Sequence, residues 1–180
     1  MWVRLGMTAS AHPASLPVPA PAARLRRSGA EQARLEAALA DLFEQRITFN
    51  QTLGLKVTSA RSPNPTVQFA MRPALIGHLL HARLHGGVIS AVLDAMGGLA
   101  LMVAMGEKHA DEDTAQVLQR FVKMGTIDLR IDYLRPGIGS VFVASAEVTR
   151  LGGRIGATQM RLVNDQASVI ATGAAAYVIS

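Results

Sequence analysis

The chain has 180 residues, of which 49% are hydrophobic and none is cysteine. This length and composition suit one domain with its own core, and the lack of cysteine excludes disulfides, thiolate catalysis and cysteine-bound zinc. The net charge is +5, but residues 1–30 hold four arginines and no acid, which leaves 14 basic and 13 acidic side chains in the rest. With only 4% aromatic residues, this nearly neutral body argues against nucleic-acid binding.

Residues 1–30 are predicted to form a disordered or loosely attached tail, and residues 31–180 a single domain. The tail is rich in Ala, Pro and Ser, and its prolines are spaced so that neither a helix nor a sheet can form. It lacks the uninterrupted apolar stretch of a secretory signal, so we expect a cytoplasmic location. A transit peptide, or a translation start at Met7, is the alternative.

The next stretch changes to regular periodicity. Leucines at helical spacing, with glutamates on the opposite side, predict an amphipathic helix over residues 31–46. Two short strands are predicted at residues 53–60 and 66–71, because the turn between them contains two prolines that do not fit a sheet. Residues 72–84 are predicted to be a loop.

Residues 85–106, HGGVISAVLDAMGGLALMVAMG, form a His-Gly-Gly turn followed by an apolar run. The spacing predicts one buried helix over residues 87–105. Small residues and Asp94 share one face, which suits a close backbone neighbour, while bulky valines and leucines suit packing on a sheet. A transmembrane span is the alternative, but Asp94 would cost about 3 kcal/mol at the middle of a bilayer.

The rest of the chain, after an acidic connection at residues 106–114, is predicted to be all strand. Residues 126–133 alternate between apolar and polar, with Thr126 on the polar face. Further strands are predicted at residues 141–150, 154–163 and 168–178, joined by short turns into an antiparallel meander. One sheet of five or six strands can wrap around the apolar helix, which favours an α+β protein over a membrane span.

Two motifs at a fixed separation carry a family resemblance: HGGVISAVLDAMGG at residues 85–98 and TIDLRIDYLRPG at residues 126–137. Together they resemble the hotdog-fold thioesterases, most closely the PaaI-like branch that hydrolyses acyl-CoA, over about residues 40–178. The resemblance implies a hotdog fold, with an antiparallel sheet wrapped around a long central helix. It also implies a homodimer whose sheets join, often a dimer of dimers, and hydrolysis of acyl-CoA without a metal or cofactor.

The resemblance further implies the catalytic residues. Asp94 matches the acidic residue that acts as general base on water or as nucleophile, and Gly86 matches the glycine whose backbone N–H polarises the thioester carbonyl. His85 matches the histidine before that glycine, and Thr126 matches a hydroxyl that helps to hold the attacking water. Relatives often carry an asparagine in the loop before the His-Gly-Gly turn, whereas this loop has His78, which is the candidate to replace it.

Substrate-binding candidates surround these positions. The phosphates of coenzyme A favour cationic side chains at the mouth of a pocket, and the apolar surroundings favour a medium or long acyl chain. The candidates are Gly87, His81, Arg83, Leu84, Arg135 and Arg154. No set of side chains shows metal-ligand spacing, because His81 and His85 precede the helix.

Helix geometry constrains where the site can be. Gly86 and Asp94 are eight residues apart, which is about 12 Å along a helix. A base and an oxyanion donor must both lie within about 3 Å of the reacting atoms, so these two residues of one chain cannot act on the same thioester. We therefore expect each site to be built from two chains. A non-catalytic acyl-CoA sensor or scaffold is the alternative, and a hydratase fits less well.

Overall fold

A computed structural model describes residues 26–180 of the chain. Its helices are α1 (Gly29–Asp41), α2 (Thr48–Leu53), α3 (Gly86–Lys108) and α4 (Thr114–Gln119), and a π-helical turn at Leu42–Arg46 joins α1 to α2. Its strands are β1 (Lys56–Ser59), β2 (Thr66–Ala70), β3 (Ile76–His78), β4 (Arg83–Leu84), β5 (Gly125–Tyr133), β6 (Val141–Leu151), β7 (Ile155–Asn164) and β8 (Val169–Val178). Short 3₁₀ turns lie at Pro73–Leu75, Leu79–His81 and Arg120–Lys123.

Six strands form one antiparallel sheet in the order β1-β2-β6-β7-β8-β5, and β3 pairs with β4 in a separate small hairpin. The predicted meander of three strands is confirmed, since β6, β7 and β8 are consecutive in the chain and in the sheet. The strand β5 comes before them in sequence but lies outside β8, at the edge of the sheet. Its outer side is therefore open within the described part of the chain.

The long helix α3 fills the concave side of the sheet. It contacts β5, β6, β7 and β8, and its leucines at 93, 99 and 101 are completely buried. Its length and its mean hydropathy of 2.0 would also suit a membrane span, but here the sheet covers its bulky face. The predicted difference between the faces is confirmed, because Ala91, Asp94 and Gly98 on the small-residue face are only partly buried.

The structure differs from the sequence-based expectations in three segments. Leu53, predicted to begin a strand, ends α2, and the predicted loop at residues 72–84 contains the β3–β4 hairpin. The region predicted to be all strand begins with α4. Its signal was present in the sequence: Asp113 and Gln116 form a reciprocal capping box at the start of the helix. The short apolar pattern of α4 was too weak to reveal it by periodicity alone.

The C-terminal end of α3 is held by a residue of the predicted tail. The guanidinium of Arg27 donates to the carbonyl oxygens of Gly106 and His109, each at 2.6 Å, and to that of Glu112 at 3.2 Å. Carbonyls at a helix C-terminus lack partners within the helix and attract cations. The ordered domain therefore begins before residue 30, while the remainder of the predicted tail lies outside the described residues.

This capping predicts that two neighbouring arginines contribute very differently to the free energy of unfolding. Replacing Arg27 by Ala leaves three carbonyls without their donor and should lower the free energy of unfolding by about 2–3 kcal/mol. Replacing Arg26 by Ala removes only an exposed ion pair with Glu107 and should cost less than about 1 kcal/mol. Denaturant unfolding of both variants measures the difference, and equal losses would contradict the capping role.

Candidate active site

Asp94 and Thr126 come together from distant parts of the chain. Asp94 lies in the third turn of α3, and Thr126 lies near the start of the edge strand β5. The Thr126 hydroxyl donates a hydrogen bond of 2.9 Å to the Asp94 carboxylate oxygen Oδ1. A hydrogen bond to an ionised carboxylate is stronger than one between neutral groups, so Thr126 fixes the orientation of the carboxylate.

A β-bulge is what turns Thr126 towards α3. Thr126 pairs with Tyr177 and Asp128 pairs with Ala176, so the register skips Ile127. The extra residue reverses the facing of everything before it, and Ile127 is left 57% exposed. Simple alternation groups Thr126 with Asp128, but across the bulge Thr126 turns towards α3, and its side chain is still exposed. The bulge could not be read from a pattern that continues unbroken through residues 126–133.

An apolar groove of about 270 Å³ adjoins Asp94 and Thr126. It lies between α3, the π-helical turn, α2 and the start of β5. Most of its lining is hydrophobic, with Phe43, Ile47, Ala95, Gly98, Leu99 and Met102 among the residues. Asp94 is the acidic residue in this lining. The arrangement places a carboxylate at the side of a channel that suits a hydrocarbon chain.

The N-terminus of α3 forms the second part of the site. His85 is the N-cap residue, and its Nδ1 accepts a 2.9 Å hydrogen bond from the backbone N–H of Gly87. The Gly87 N–H is therefore occupied. The Gly86 N–H has no acceptor among residues 26–180. An unpaired N–H at a helix N-terminus can bind a developing oxyanion.

A second groove, of about 280 Å³, surrounds this N-terminus. It brings together most of the predicted residues, namely His78, Arg83, Leu84, His85, Gly86 and Arg135. Tyr133, at the end of β5, donates a 3.0 Å hydrogen bond to the Gly86 carbonyl oxygen. Arg135 also donates to the Val169 carbonyl at 3.0 Å, so its guanidinium is partly occupied by the fold.

Three of the predicted binding residues, Gly87, His81 and Arg154, line neither groove. Arg154 lies in the turn between β6 and β7, apart from the helix N-terminus. His81 is exposed, and its ring stacks on that of His78 with 5.0 Å between centroids. Within residues 26–180, no three His, Asp or Glu side chains are grouped so that they could hold a metal ion. The binding roles of these residues stay predictions.

Sequence reasoning missed the two tyrosines, which are the only ones in the chain. Tyr133 contacts Gly86, as described above, and Tyr177 donates a 2.8 Å hydrogen bond to the backbone carbonyl oxygen of Asp94. Burial raises the pKa of Tyr177, and the negative charge of Asp94 raises it further. Tyr133 lies inside the motif at residues 126–137, but the alternating pattern marks it only as an apolar strand position, and Tyr177 lies in neither motif. Each reaches the helix from a strand distant in sequence.

The described architecture, an antiparallel sheet wrapped around one long helix that carries an acid on its open face, defines a hotdog-fold protein. A solved thioesterase from Haemophilus influenzae has the same fold. It aligns with a TM-score of 0.61 and 16% identity, over 78% of this chain and 88% of that one. At this identity the likeness establishes the fold alone.

Closer relatives establish the family. The model of the thioesterase superfamily matches residues 81–171. A solved structure from Shewanella oneidensis, related to the thioesterase superfamily, aligns with a TM-score of 0.78 and 36% identity over 83% of this chain and 97% of its own. The medium/long-chain acyl-CoA thioesterases YigI of Salmonella typhimurium and Escherichia coli are 33% identical over 77% of this chain and 90% of theirs. The chain belongs to the thioesterase superfamily and is a thioester hydrolase.

The Thr126 hydroxyl provides a first test of the site. Thr126→Val removes one hydrogen bond to a charged group, worth about 1.5–3 kcal/mol, so kcat should fall about tenfold to a hundredfold. Thr126→Ser keeps the hydroxyl and should lose much less. Thr172→Val, on β8 at the outer face of the sheet, controls for placing valine in a strand. Steady-state thioester hydrolysis measures all three, and equal rates for the Val and Ser variants of Thr126 would contradict this role.

Proposed function

We propose that this enzyme hydrolyses medium- or long-chain acyl-CoA to the free acid and coenzyme A, at sites formed between two subunits. In each site, Asp94 of one subunit activates water, and the Gly86 N–H of the other subunit binds the oxyanion. The observation that carries the proposal is that both residues are attached to the same edge strand. Thr126 holds Asp94 at one end of β5, and Tyr133 holds Gly86 at the other.

Within one subunit the two groups cannot act together. The groove at Asp94 and the groove at Gly86 share no lining residue, and eight residues of helix separate the two positions by about 12 Å. Each groove therefore has one of the two proposed catalytic groups: the Asp94 carboxylate without the Gly86 N–H, or the Gly86 N–H without the Asp94 carboxylate.

Pairing of two copies through β5 would complete both sites. The open edge of β5 presents backbone N–H and C=O groups that no other described strand pairs with, and Ile127 and Tyr133 of this strand are 57% and 55% exposed. Such an edge favours pairing with another strand. Antiparallel pairing about a two-fold axis near Arg130 would bring Thr126 of one subunit beside the partner's Tyr133. Asp94 would then approach the Gly86 of the partner subunit, twice per dimer. A dimer of dimers is compatible with this arrangement.

The proposed reaction uses water and no cofactor. Asp94 takes a proton from water as the oxygen attacks the thioester carbonyl carbon, and the carbonyl oxygen becomes an oxyanion at the Gly86 N–H. The carbon–sulfur bond then breaks, and the coenzyme A thiolate leaves with the proton that Asp94 had accepted. His85 supports this step by capping the turn that presents Gly86. His78 lies in the same groove and is the candidate to replace the loop asparagine that the family resemblance implies.

Two features support the proposed substrate class. The apolar groove beside Asp94 suits an acyl chain, and the relatives named YigI are medium/long-chain acyl-CoA thioesterases. Arg83 and Arg135, at the groove around Gly86, could bind the phosphates of coenzyme A. Arg154 could serve the same purpose from its turn, and His81 from its exposed position. The cytoplasmic location expected from the sequence stays a prediction.

Mixing two inactive variants tests the shared site. Gly86→Pro removes the N–H while suiting the first position of a helix, and the extended backbone of His85 fits a residue before proline. Each variant alone, Gly86→Pro or Asp94→Asn, should lose about a hundredfold or more in kcat. Dimers that contain one chain of each retain one intact site, so random co-assembly of equal amounts should restore about a quarter of the wild-type activity.

The controls separate a shared site from a damaged one. Gly86→Ala keeps the N–H, and its added Cβ would lie an ordinary 3.5 Å from the Tyr133 ring, so it should lose far less activity than the proline variant. Complementation requires subunit exchange, which two affinity tags on coexpressed chains can verify. Purified mixed dimers that stay inactive, or a fully active monomer, would refute the proposed site.

The groove predicts control over acyl-chain length. Nothing lies within 4 Å of the position that a Cβ on Gly98 would occupy, so the side chain of Gly98→Leu should extend into the groove. Hydrolysis of long-chain acyl-CoA should fall about tenfold or more, because each excluded methylene forfeits about 0.8 kcal/mol, while short-chain substrates are spared. Gly153→Leu, in the β6–β7 turn with equally open space, is the matched control. An unchanged chain-length profile would place the acyl chain elsewhere.

A further inference from the structure

We infer that Tyr177 is a positioning residue for this reaction: its hydroxyl holds the backbone of Asp94 and thereby sets where the carboxylate lies. The inference rests on the catalytic role proposed for Asp94. The Tyr177 ring lines the apolar groove beside Asp94, whereas its hydroxyl contacts the main chain of α3 from the sheet side and acts through Asp94.

The contact is direct and buried. Tyr177 is 3% exposed, and its hydroxyl donates to the Asp94 carbonyl oxygen at 2.8 Å. Tyr177 is also the register partner of Thr126 on the neighbouring strand. Asp94 is thus held by two adjacent strands at the same level of the sheet, with Tyr177 bound to its main chain and Thr126 to its carboxylate.

The packing of α3 is adapted to this hydroxyl. A Cβ on Gly97 would lie 2.3 Å from the Tyr177 hydroxyl oxygen and 2.8 Å from Oγ1 of Thr158, which is itself buried. Any side chain at position 97 would therefore displace the Tyr177 hydroxyl or lift the helix. By contrast, the Cβ of an alanine at Gly98 would meet open space. Glycine is required only on the side of the helix that faces the tyrosine.

The phenol can serve this purpose over a wide pH range. Because burial and the charge of Asp94 raise the pKa of Tyr177, the hydroxyl keeps its proton and remains a donor at neutral pH. A fixed donor to one helical carbonyl limits both sliding and rotation of that turn. Reaction rates are sensitive to such placement, since an error of about 1 Å can cost about a hundredfold.

Tyr177→Phe tests the inference, because it removes the hydroxyl and keeps the ring in the core. We expect kcat to fall about tenfold or more while KM stays within about twofold, since Phe keeps the ring that lines the acyl groove. A purely structural role would lower the melting temperature but leave kcat per folded molecule unchanged. Rates are therefore normalised to the folded fraction, measured by circular dichroism at the assay temperature.

Thr114→Val is the matched control. It also removes a buried hydroxyl, but in α4 and away from Asp94. We expect its kcat to equal that of the wild type. If it lost as much kcat as Tyr177→Phe, the effect would be a general consequence of hydroxyl loss, and the inference would be overturned.

Gly97→Ala disturbs the same contact from the helix side. It is the alternative test if Tyr177→Phe does not fold. Its methyl group must push the hydroxyl away, so it should give the same selective loss of kcat. Combined with Tyr177→Phe, it should lose less than the sum of the two effects, because both act on one contact. Independent, additive losses would overturn the inference.

Asp94→Asn, assayed in parallel, separates this inference from the proposed function. An inactive Asp94→Asn together with an unchanged kcat in folded Tyr177→Phe overturns the positioning role alone. An active Asp94→Asn overturns the proposed mechanism, and the positioning role with it. Loss of kcat in both variants, with KM retained in Tyr177→Phe, supports both.

Discussion

The close packing of α3 on β7 and β8 is the constraint on which the rest of the structure depends. Glycine permits it from both sides: a Cβ on Gly97 would collide with the Tyr177 hydroxyl, and a Cβ on Gly156 of β7 would lie 2.5 Å from Leu101 of the helix. Because interiors are close-packed, the depth of the helix also sets how far Asp94 stands from the strands. That depth therefore determines whether the Thr126 hydroxyl can reach the Asp94 carboxylate.

The edge strand β5 contacts the two catalytic positions of α3 at opposite ends. Asp94 and Gly86 lie more than two helical turns apart, so no single position on a strand can contact both. Instead, each is bound by a residue at a different end of β5. An unpaired edge with exposed apolar side chains is a liability for a lone subunit. In the proposed dimer, pairing of the two β5 edges joins the half-sites. The same contact therefore covers the open edge and completes the site.

Much of this could be predicted from the sequence, and the failures share a cause. The helix α3 and the strands β6 to β8 followed from periodicities long enough to be unambiguous, and the His-Gly-Gly and Asp94 motif revealed the family. The α2 and α4 helices were missed because six residues give too little periodic signal, although the Asp113 capping box marked one of them. The bulge that turns Thr126 towards α3 could not be predicted, because it is decided by pairing with β8, which the pattern of one strand does not contain.

The sequence by itself determined the fold class, the family and the separation of Asp94 from Gly86, because helical rise and side-chain periodicity are local properties of the backbone. Only the tertiary structure decided which groups hold those residues. Tyr177, Tyr133 and Arg27 each contact α3 from 47 or more positions away in the chain. Such contacts depend on the order of the strands and on how closely the helix packs on the sheet. Both are properties of the whole fold, and no local sequence pattern contains them.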